Sequence, residues 1–349
     1  KNNNNYFPGP SEWSSNTRIP TSCITQPPIG GTILWTIYNN NKKKMDFRRL
    51  KKLFYKTYNN LKWFEEYRDI DNQGLISIIH PWESGRDNSI EWDEPLNNIS
   101  VSLLKKYSRK DLKQICDEER PSNDDYDKYI TLLLFGENCY WDKNEMFFNS
   151  PFNVIDVGIQ FMYIKSLKDM LKLSYLFDDN YVTKDLNNMI IKYSKGVDLL
   201  WNRKLNCYTS YDYKEKKHID EITHASFLCY YAGIFNKNYD QYIIRNYYNY
   251  IDNVKYLVPS CSINNNKFNN KKYWKGPIWA IINLFLLIGF NKIDEKIYKS
   301  IFINTKNLIE DNDFYEYFDP ITGKGCGGKD FSWTASVYLI LKSKYNLLD

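Results

Sequence analysis

The sequence predicts an all-α protein, and three observations support that prediction. Apolar residues recur at intervals of three and four along most of the chain, which is the spacing of an amphipathic helix. In the clearest case Ile159, Tyr163, Leu167 and Met170 follow one another at steps of four, four and three. Alternating strand patterns are almost absent, and the sequence shows no internal repeat. The 349 residues are enough for one large domain or two small ones.

The helices are expected in order after an irregular segment, rich in Asn and Pro, at residues 1–27. Pro28 fits the first turn of the first helix. The run from Ser108 to Asp111 resembles the capping box of a short helix, and Thr183 is the expected cap of a later one. The longer predicted helices, about ten in number, cover residues 28–40, 45–67, 121–136, 154–176, 183–200, 222–236, 239–251, 276–289, 293–310 and 331–345.

Composition excludes several classes of function. The chain carries 47 basic and 42 acidic residues, a net charge of +5, and the two signs are interspersed. Nucleic-acid binding would need a concentrated basic face, which the sequence lacks. No apolar run reaches the length of a membrane span and no signal peptide is visible. The sequence therefore predicts neither a nucleic-acid nor a membrane partner. It slightly favours the cytoplasm and leaves the compartment and the oligomeric state undetermined.

Cysteine and histidine usage argues against a metal centre. The seven cysteines have unrelated spacings without any CxxC pair, so neither a disulfide framework nor a structural zinc site is expected. Only three histidines are present. We therefore expect no metal and no cofactor.

The polar segment from His80 to Ser89 is the most informative stretch of the chain. Its order, HPWESGRDNS, has neither a helical nor a strand period, and it combines Trp82 with Glu83, Arg86 and Asp87. Such a mixture is unusual both for a solvated loop and for a core segment. It favours the wall of a polar pocket; the alternative is a buried structural network, because charge clusters occur in both.

Two further loops between helices are rich in aromatic residues. In one, Glu316 lies among four aromatic side chains, where burial would tune the pKa of its carboxylate; the alternative is an exposed turn. The other holds Tyr273, Trp274 and Trp279, which either stack on a sugar or pack in the core. Asp87 and Glu316 together supply two carboxylates on one helical scaffold, which is the pair that glycoside hydrolysis requires.

The segment 323–328 has the spacing GxGxxG. A dinucleotide fingerprint needs a preceding buried strand and a βαβ unit, whereas only predicted helices surround this segment. No GxSxG sequence supports a serine hydrolase. Both of these readings are therefore rejected.

The chain resembles glycoside hydrolase family 63 and its mannosylglycerate/glucosylglycerate hydrolase-like branch. The similar segments follow the family's order over most of the chain. They are Phe7–Pro10, Ile24–Pro28, His80–Ser89 with Glu91–Pro95, Tyr273–Trp279, Glu316–Gly323 and Lys329–Thr334.

This resemblance implies a single catalytic domain over residues 1–349 with an (α/α)6 barrel, and an inverting mechanism on a small carbohydrate. By motif position Asp87 would be the general acid and Glu316 the general base. Arg120 and Tyr126 would hold the glycerate carboxylate. The remaining substrate-binding positions would be Gln26, His80, Trp82, Glu83, Arg86, Tyr273, Trp274, Gly276 and Trp279.

Some features depart from the family pattern. An aromatic family segment expected upstream of the Gln-Pro-Pro sequence is absent, and about ten helices are predicted where the barrel has twelve. The chain is therefore expected either to lack N-terminal helices or to have lost part of its sugar site. The predicted function is hydrolysis of a glucosyl- or mannosylglycerate-like glycoside. The alternatives are an oligosaccharide-trimming α-glucosidase and a catalytically degenerate carbohydrate-binding or scaffold protein.

Overall fold

The computed structural model describes residues 24–101, 107–109, 111–113, 115–291 and 293–343. Their α-helices are α1 (Gly30–Asn41), α2 (Phe47–Arg68), α3 (Asp93–Asn97), α4 (Asn123–Asn138), α5 (Val157–Ser174), α6 (Asn180–Gly196), α7 (Asp240–Tyr250), α8 (Ala280–Phe290), α9 (Glu295–Asn312) and α10 (Ser332–Lys342). Within these residues every strand is two residues long: β1 (Ser77–Ile78), β2 (Val154–Ile155), β3 (Trp201–Asn202), β4 (Cys207–Tyr208), β5 (Tyr211–Asp212), β6 (Lys217–His218), β7 (Tyr317–Phe318) and β8 (Gly325–Cys326). The all-α prediction is confirmed.

The chain divides into two compact units. Among the described residues, unit 1 comprises those of 24–86, 129–201 and 210–218, and unit 2 comprises those of 87–128, 202–209 and 219–343. In unit 1 the helix α5 is buried over most of its circumference and packs against α1, α2 and α6. The strands β1, β2, β5 and β6 form one small antiparallel sheet beside these helices. Because its helices carry apolar stripes, unit 1 buries a core of its own.

Unit 2 is organised around α8, which is apolar along almost its whole length and is buried against α9 and α10. The strands β7 and β8 pair as an antiparallel hairpin, with Tyr317 opposite Cys326. Ile278, two residues before α8, forms a bridge to Phe318 on this hairpin. The hairpin and the N-terminal end of α8 therefore lie side by side.

Three predicted elements differ from the structure. Thr183 does not cap a helix, because α6 begins earlier and the side chain of Asp179 accepts a hydrogen bond from the Val182 amide at 3.1 Å. Residues 222–236 form no α-helix; a 3-10 helix runs from His224 to Cys229 after a Thr223 cap. The polar segment 80–95 contains two 3-10 turns and α3. These three differences arise from local hydrogen bonds made by polar side chains. The spacing of apolar residues does not predict such bonds.

Two further predictions concern residues outside the described ranges. The segment 1–23, with the Phe7–Pro10 motif, lies outside them, as does Lys110 of the expected capping box. Within the described part of the chain no helix has both the length and the apolarity that crossing a membrane requires.

Candidate active site

The polar segment begins in unit 1, where His80 holds its first turn. Its Nδ1 accepts a hydrogen bond from the Trp82 amide at 3.1 Å, and its Nε2 lies 3.1 Å from the Tyr129 carbonyl. Burial lowers the pKa of His80 to about 4, so the ring is neutral and Nε2 carries the donated proton. Both ring nitrogens are bonded to the backbone, so His80 orders the loop in this structure and offers no free nitrogen to a ligand.

Glu83 is fully buried and surrounded by donors. Arg68, the last residue of α2, pairs with both of its carboxylate oxygens. The amides of Thr25 and Ile79 donate to the same carboxylate at 2.9 and 3.0 Å. Such complete pairing is what a buried charge requires. Glu83 therefore fixes the segment before Asp87. Its carboxylate is paired with Arg68.

Arg86 is also buried, with 1% of its surface exposed, and its Nη2 donates to Asp156 Oδ1 at 2.6 Å. Asp156 is itself the N-cap of α5 and accepts from the Gly158 amide at 2.7 Å. The helix N-terminus and the guanidinium thus share one carboxylate. The arginine that precedes Asp87 is in this way attached to the central helix of unit 1.

The predicted unit 1 residues with accessible surface are Gln26 and Trp82. The Trp82 indole packs against the rings of His80 and Tyr129, with centroids 4.6 and 5.7 Å apart. The Gln26 amide donates to the Thr25 carbonyl at 3.1 Å and more weakly to the Trp82 carbonyl at 3.4 Å. A flat indole beside an exposed amide suits a sugar face and its hydroxyls.

Asp87, which follows Arg86, opens unit 2 and is partly buried. Burial raises its pKa to about 7; the positive charge of Arg120 opposes this rise and the negative charge of Glu316 adds to it. Asp87, Arg120 and Glu316 are therefore electrostatic neighbours in unit 2. A carboxyl with a pKa near neutrality is suited to hold a proton and to donate it.

Glu316 precedes β7 and is buried, with 7% of its surface exposed, so the exposed-turn alternative is wrong. Arg120 Nη1 and Nη2 donate to Oε1 and Oε2 at 3.2 and 2.7 Å. The Gly328 amide donates to Oε2 at 3.0 Å, and the Glu316 amide donates back to the Gly328 carbonyl. Bidentate charge-assisted bonds of this kind stabilise an ionised carboxylate.

The aromatic loop of unit 2 packs beside this carboxylate. Trp274 and Trp279 are buried and stack in parallel with their centroids 3.9 Å apart, which supports the core-packing alternative for these two residues. Tyr273 is half-buried, and the Arg120 guanidinium lies over its ring at 4.6 Å from the centroid. The charges of Asp87 and Glu316 both raise the pKa of Tyr273, after the larger effect of burial. Tyr273 is thus an aromatic residue within electrostatic range of both carboxyls.

The packing of the backbone requires a glycine at position 276. A β-carbon there would lie 2.2 Å from the Asn269 carbonyl oxygen, and the Gly276 amide donates to Ser260 Oγ at 2.9 Å. Only glycine allows the two backbone segments to approach so closely. Its backbone orders the aromatic loop, and its amide is already engaged.

Tyr126, in the first turn of α4, lies against Arg109, whose guanidinium is 4.0 Å from the ring centroid. Burial, the charge of Asp111 and a hydrogen bond to Asp111 raise its pKa, and Asp87 contributes in the same direction. Tyr126 is therefore within electrostatic range of the predicted acid. The structure brings the predicted acid, the predicted base and the two predicted glycerate-binding residues into one cluster in unit 2.

Sequence reasoning missed four residues of this cluster: Asn88, Glu119, Gly327 and Gly328. Asn88 Oδ1 accepts from the Trp274 amide at 2.9 Å, and Glu119 Oε2 accepts from the Gly327 amide at 2.8 Å. A β-carbon on Gly327, whose φ is +70°, would lie 2.6 Å from Glu316 Oε2. The GxGxxG spacing was a usable signal, because two of its glycines, Gly327 and Gly328, border the Glu316 carboxylate. Among the described residues no group of three His, Cys, Asp or Glu side chains could hold a metal ion.

Comparisons with known proteins place this chain in a family. The family model of the mannosylglycerate hydrolase MGH1-like glycoside hydrolase domain matches residues 2–334. The chain belongs to this family. The resemblance stated from the sequence motifs is therefore confirmed, and the protein is a glycoside hydrolase.

Two relatives and one solved structure illustrate the similarity. The mannosylglycerate hydrolase of Thermus thermophilus is 34% identical over 339 residues, covering 96% of this chain and 81% of the relative. The glucosylglycerate hydrolase of Mycolicibacterium hassiacum is 26% identical over 357 residues, covering 96% of this chain and 80% of the relative. The crystal structure of the family 63 mannosylglycerate hydrolase from Thermus thermophilus in complex with Tris and D-glycerate has a TM-score of 0.90 at 32% identity; the match covers 98% of this chain and 82% of that one.

The likeness to this solved structure confirms the predicted fold class. This glycoside hydrolase has the all-α, (α/α)6 fold, also called the six-hairpin glycosidase fold. The two relatives described above are named as hydrolases of mannosylglycerate and of glucosylglycerate.

Proposed function

We propose that this glycoside hydrolase is an inverting α-glycosidase that hydrolyses a small α-glucoside or α-mannoside with an acidic aglycone, such as glucosyl- or mannosylglycerate. The observation that carries the proposal is the contrast between its two carboxyls. Burial raises the pKa of Asp87 to about 7, whereas a bidentate arginine and a backbone amide surround Glu316. When the environments of two carboxyls differ in this way, one can serve as the acid and the other as the base. Here Asp87 would be the acid and Glu316 the base.

The reaction is a single displacement. Water attacks the anomeric carbon as the bond from that carbon to the aglycone oxygen breaks. Asp87 gives its proton to the departing oxygen, and Glu316 accepts a proton from the attacking water, so charge and atoms balance. Inversion requires room for that water, and the two carboxyls should lie roughly 6.5–9.5 Å apart when substrate is bound.

The other predicted residues have supporting roles in this proposal. Tyr273, which keeps accessible surface, is the candidate in unit 2 for direct contact with the substrate. The assignment of Gln26 and Trp82 to substrate binding remains a prediction from the sequence motifs. Arg120 and Tyr126 remain the candidates for the aglycone carboxylate, since an arginine forms paired bonds to a carboxylate. His80, Glu83, Arg86 and Gly276 would act by ordering the loops that carry these groups.

Substrate hydrolysis tests the proposal. The protein should be purified as its complete natural chain, with any residues outside this sequence included. We expect release of sugar from α-glucosylglycerate or α-mannosylglycerate, and no release from a glucosylated oligomannose. The opposite selectivity would support an oligosaccharide-trimming α-glucosidase. Binding of sugar without hydrolysis between pH 4 and 8 would support a degenerate carbohydrate-binding protein.

A further inference from the structure

The segment beside the proposed base is rich in glycine. Three of the four residues 325–328 are glycines, and Gly327 has a left-handed φ of +70°. Glycine leaves the backbone free to adopt many conformations, so such a segment does not hold one orientation by itself. The Gly328 amide nevertheless points at Glu316 and donates to Oε2 at 3.0 Å. A contact from elsewhere in unit 2 is therefore needed to fix this segment.

The side chain of Glu119 supplies such a contact. Glu119 ends the 3-10 turn Asp117–Glu119, and its Oε2 accepts a hydrogen bond from the Gly327 amide at 2.8 Å. The Tyr317 hydroxyl donates to the Glu119 carbonyl at 2.8 Å, which attaches the same turn to the β7–β8 hairpin a second time. Hydrogen bonds from a backbone N–H to a carboxylate belong to the stronger class in proteins. Glu119 is therefore well placed to hold Gly327.

Two successive amides of this segment donate to two different carboxylates. The Gly327 amide donates to Glu119, and the next amide along the chain, that of Gly328, donates to Glu316. Because consecutive peptide planes share one α-carbon, fixing the first amide limits the directions that the second can take. The packing is also close, since a β-carbon on Gly327 would lie 2.6 Å from Glu316 Oε2. A change in the orientation of Gly327 would therefore disturb the surroundings of the Glu316 carboxylate.

The backbone of Glu316 is held by bonds that do not involve the Glu119 side chain. The Thr334 hydroxyl, from the first turn of α10, donates to the Tyr315 carbonyl at 2.6 Å. The Glu316 amide donates to the Gly328 carbonyl at 2.8 Å. When the Glu119 carboxylate is removed, we therefore expect the backbone of Glu316 to stay in place and the direction of its side chain to change.

We propose that Glu119 is a positioning residue for Glu316: by holding the Gly327 amide, it keeps the Gly328 amide directed at the carboxylate of the base. Glu119 acts through the segment 327–328 and not on the substrate. Its loss should lower turnover more than substrate affinity, because misplacing a reacting group raises the barrier of the chemical step. The inference rests on the proposed function, since it takes Glu316 as the base.

Kinetics of two Glu119 variants test the positioning role. Glu119→Met removes the acceptor and keeps a side chain of similar length. On an α-glucosyl- or α-mannosylglycerate we expect its kcat to fall by about tenfold to 10²-fold, with KM changed by less than about twofold. Glu119→Gln keeps an oxygen that can accept from the Gly327 amide, so it should recover most of the lost kcat. An unchanged kcat for Glu119→Met, or no recovery in Glu119→Gln, would overturn the proposal.

The glycine amides give a spectroscopic readout of the same contact. The chain has 15 glycines, and with ¹⁵N-labelled glycine the signals of residues 327 and 328 can be assigned from Gly327→Ala and Gly328→Ala. In Glu119→Met both signals should shift, because the first amide loses its acceptor and the second changes its direction. In Glu119→Gln the Gly328 signal should stay near its wild-type position. An unmoved Gly328 signal in Glu119→Met would contradict the proposal.

Glu118→Met is the matched control. Glu118 lies in the same 3-10 turn and is exposed, so its loss should change neither kcat nor the glycine signals. Circular dichroism checks that each variant is folded. If Glu119→Met does not fold, Glu119→Asp replaces it with the same expected fall in kcat, because its carboxylate is one methylene further from the Gly327 amide.

Glu316→Gln separates this inference from the proposed function. If that variant hydrolyses the substrate as fast as the wild type, Glu316 is not the base and the proposed function fails. If Glu316→Gln is inactive while Glu119→Met is fully active, the proposed function stands and the positioning role of Glu119 is wrong.

Discussion

At the scale of single residues, the pKa of Asp87 links catalysis to stability. Burial raises this pKa from 3.8 to about 7. Between these two pH values the folded protein keeps the proton of Asp87, whereas the unfolded chain has lost it. The contribution of Asp87 to stability therefore declines as the pH rises from about 4 to about 7. The activity that depends on protonated Asp87 declines above about pH 7 for the same reason.

Asp87→Asn separates these two effects. We expect the variant to lose hydrolysis by about 10²–10⁴-fold while it keeps its fold. Its thermal stability relative to the wild type should increase from pH 4 to pH 7 and then level off, because the amide cannot ionise. Melting curves across this range measure the difference. The control Asp330→Asn, at an exposed position, should show neither change, and a pH-independent difference for Asp87→Asn would contradict the raised pKa.

At the scale of elements, the β7–β8 hairpin positions the base through its glycines. A β-carbon on Gly327 would lie 2.6 Å from Glu316 Oε2, whereas one on Gly328 would lie 3.7 Å away, at ordinary contact distance. Gly327→Ala should therefore displace the carboxylate and lower kcat by about 10²-fold. Gly328→Ala keeps the amide that donates to Oε2 and is the matched control. Similar kcat values for the two variants would show that the hairpin does not set the position of Glu316.

The end of α2 stabilises the polar segment through a buried ion pair. Arg68→Met leaves the Glu83 carboxylate buried without its cation, and we expect a loss of about 3–5 kcal/mol in the free energy of unfolding. Lys143→Met removes the cation of an exposed pair with Glu66 and should cost about 0–1 kcal/mol. Urea denaturation measures both losses. Equal losses would mean that Glu83 is not held as the structure indicates.

Sequence patterns predicted the helices better than they predicted which residues the polar side chains pair with. Apolar periodicity located most helices, because each must bury a stripe, and the motifs singled out Asp87 and Glu316 as candidates. The same motifs suggested Glu83 as a substrate contact, but its partner Arg68 lies 15 positions away. Likewise nothing local indicates that Arg120 pairs with Glu316, 196 positions further on. Such pairs depend on tertiary packing, and a single sequence does not contain their geometry.

At the scale of the whole molecule, a single catalytic domain over residues 1–349 remains a prediction. The family and the six-hairpin fold are established, and the relatives named for their activity hydrolyse glycosides of glycerate. The central claim that remains is the pairing of Asp87 as acid with Glu316 as base in an inverting reaction.

The stereochemistry of the first product tests this claim most directly. Hydrolysis of an α-glucosyl- or α-mannosylglycerate can be followed by proton NMR, in which the anomeric signals of the free sugar are distinct and mutarotation is slow enough to observe. If Asp87 is the acid and Glu316 the base, the β-anomer appears first and the α-anomer grows in only later. Initial release of the α-anomer would indicate a covalent, retaining mechanism and would contradict the roles assigned to Asp87 and Glu316.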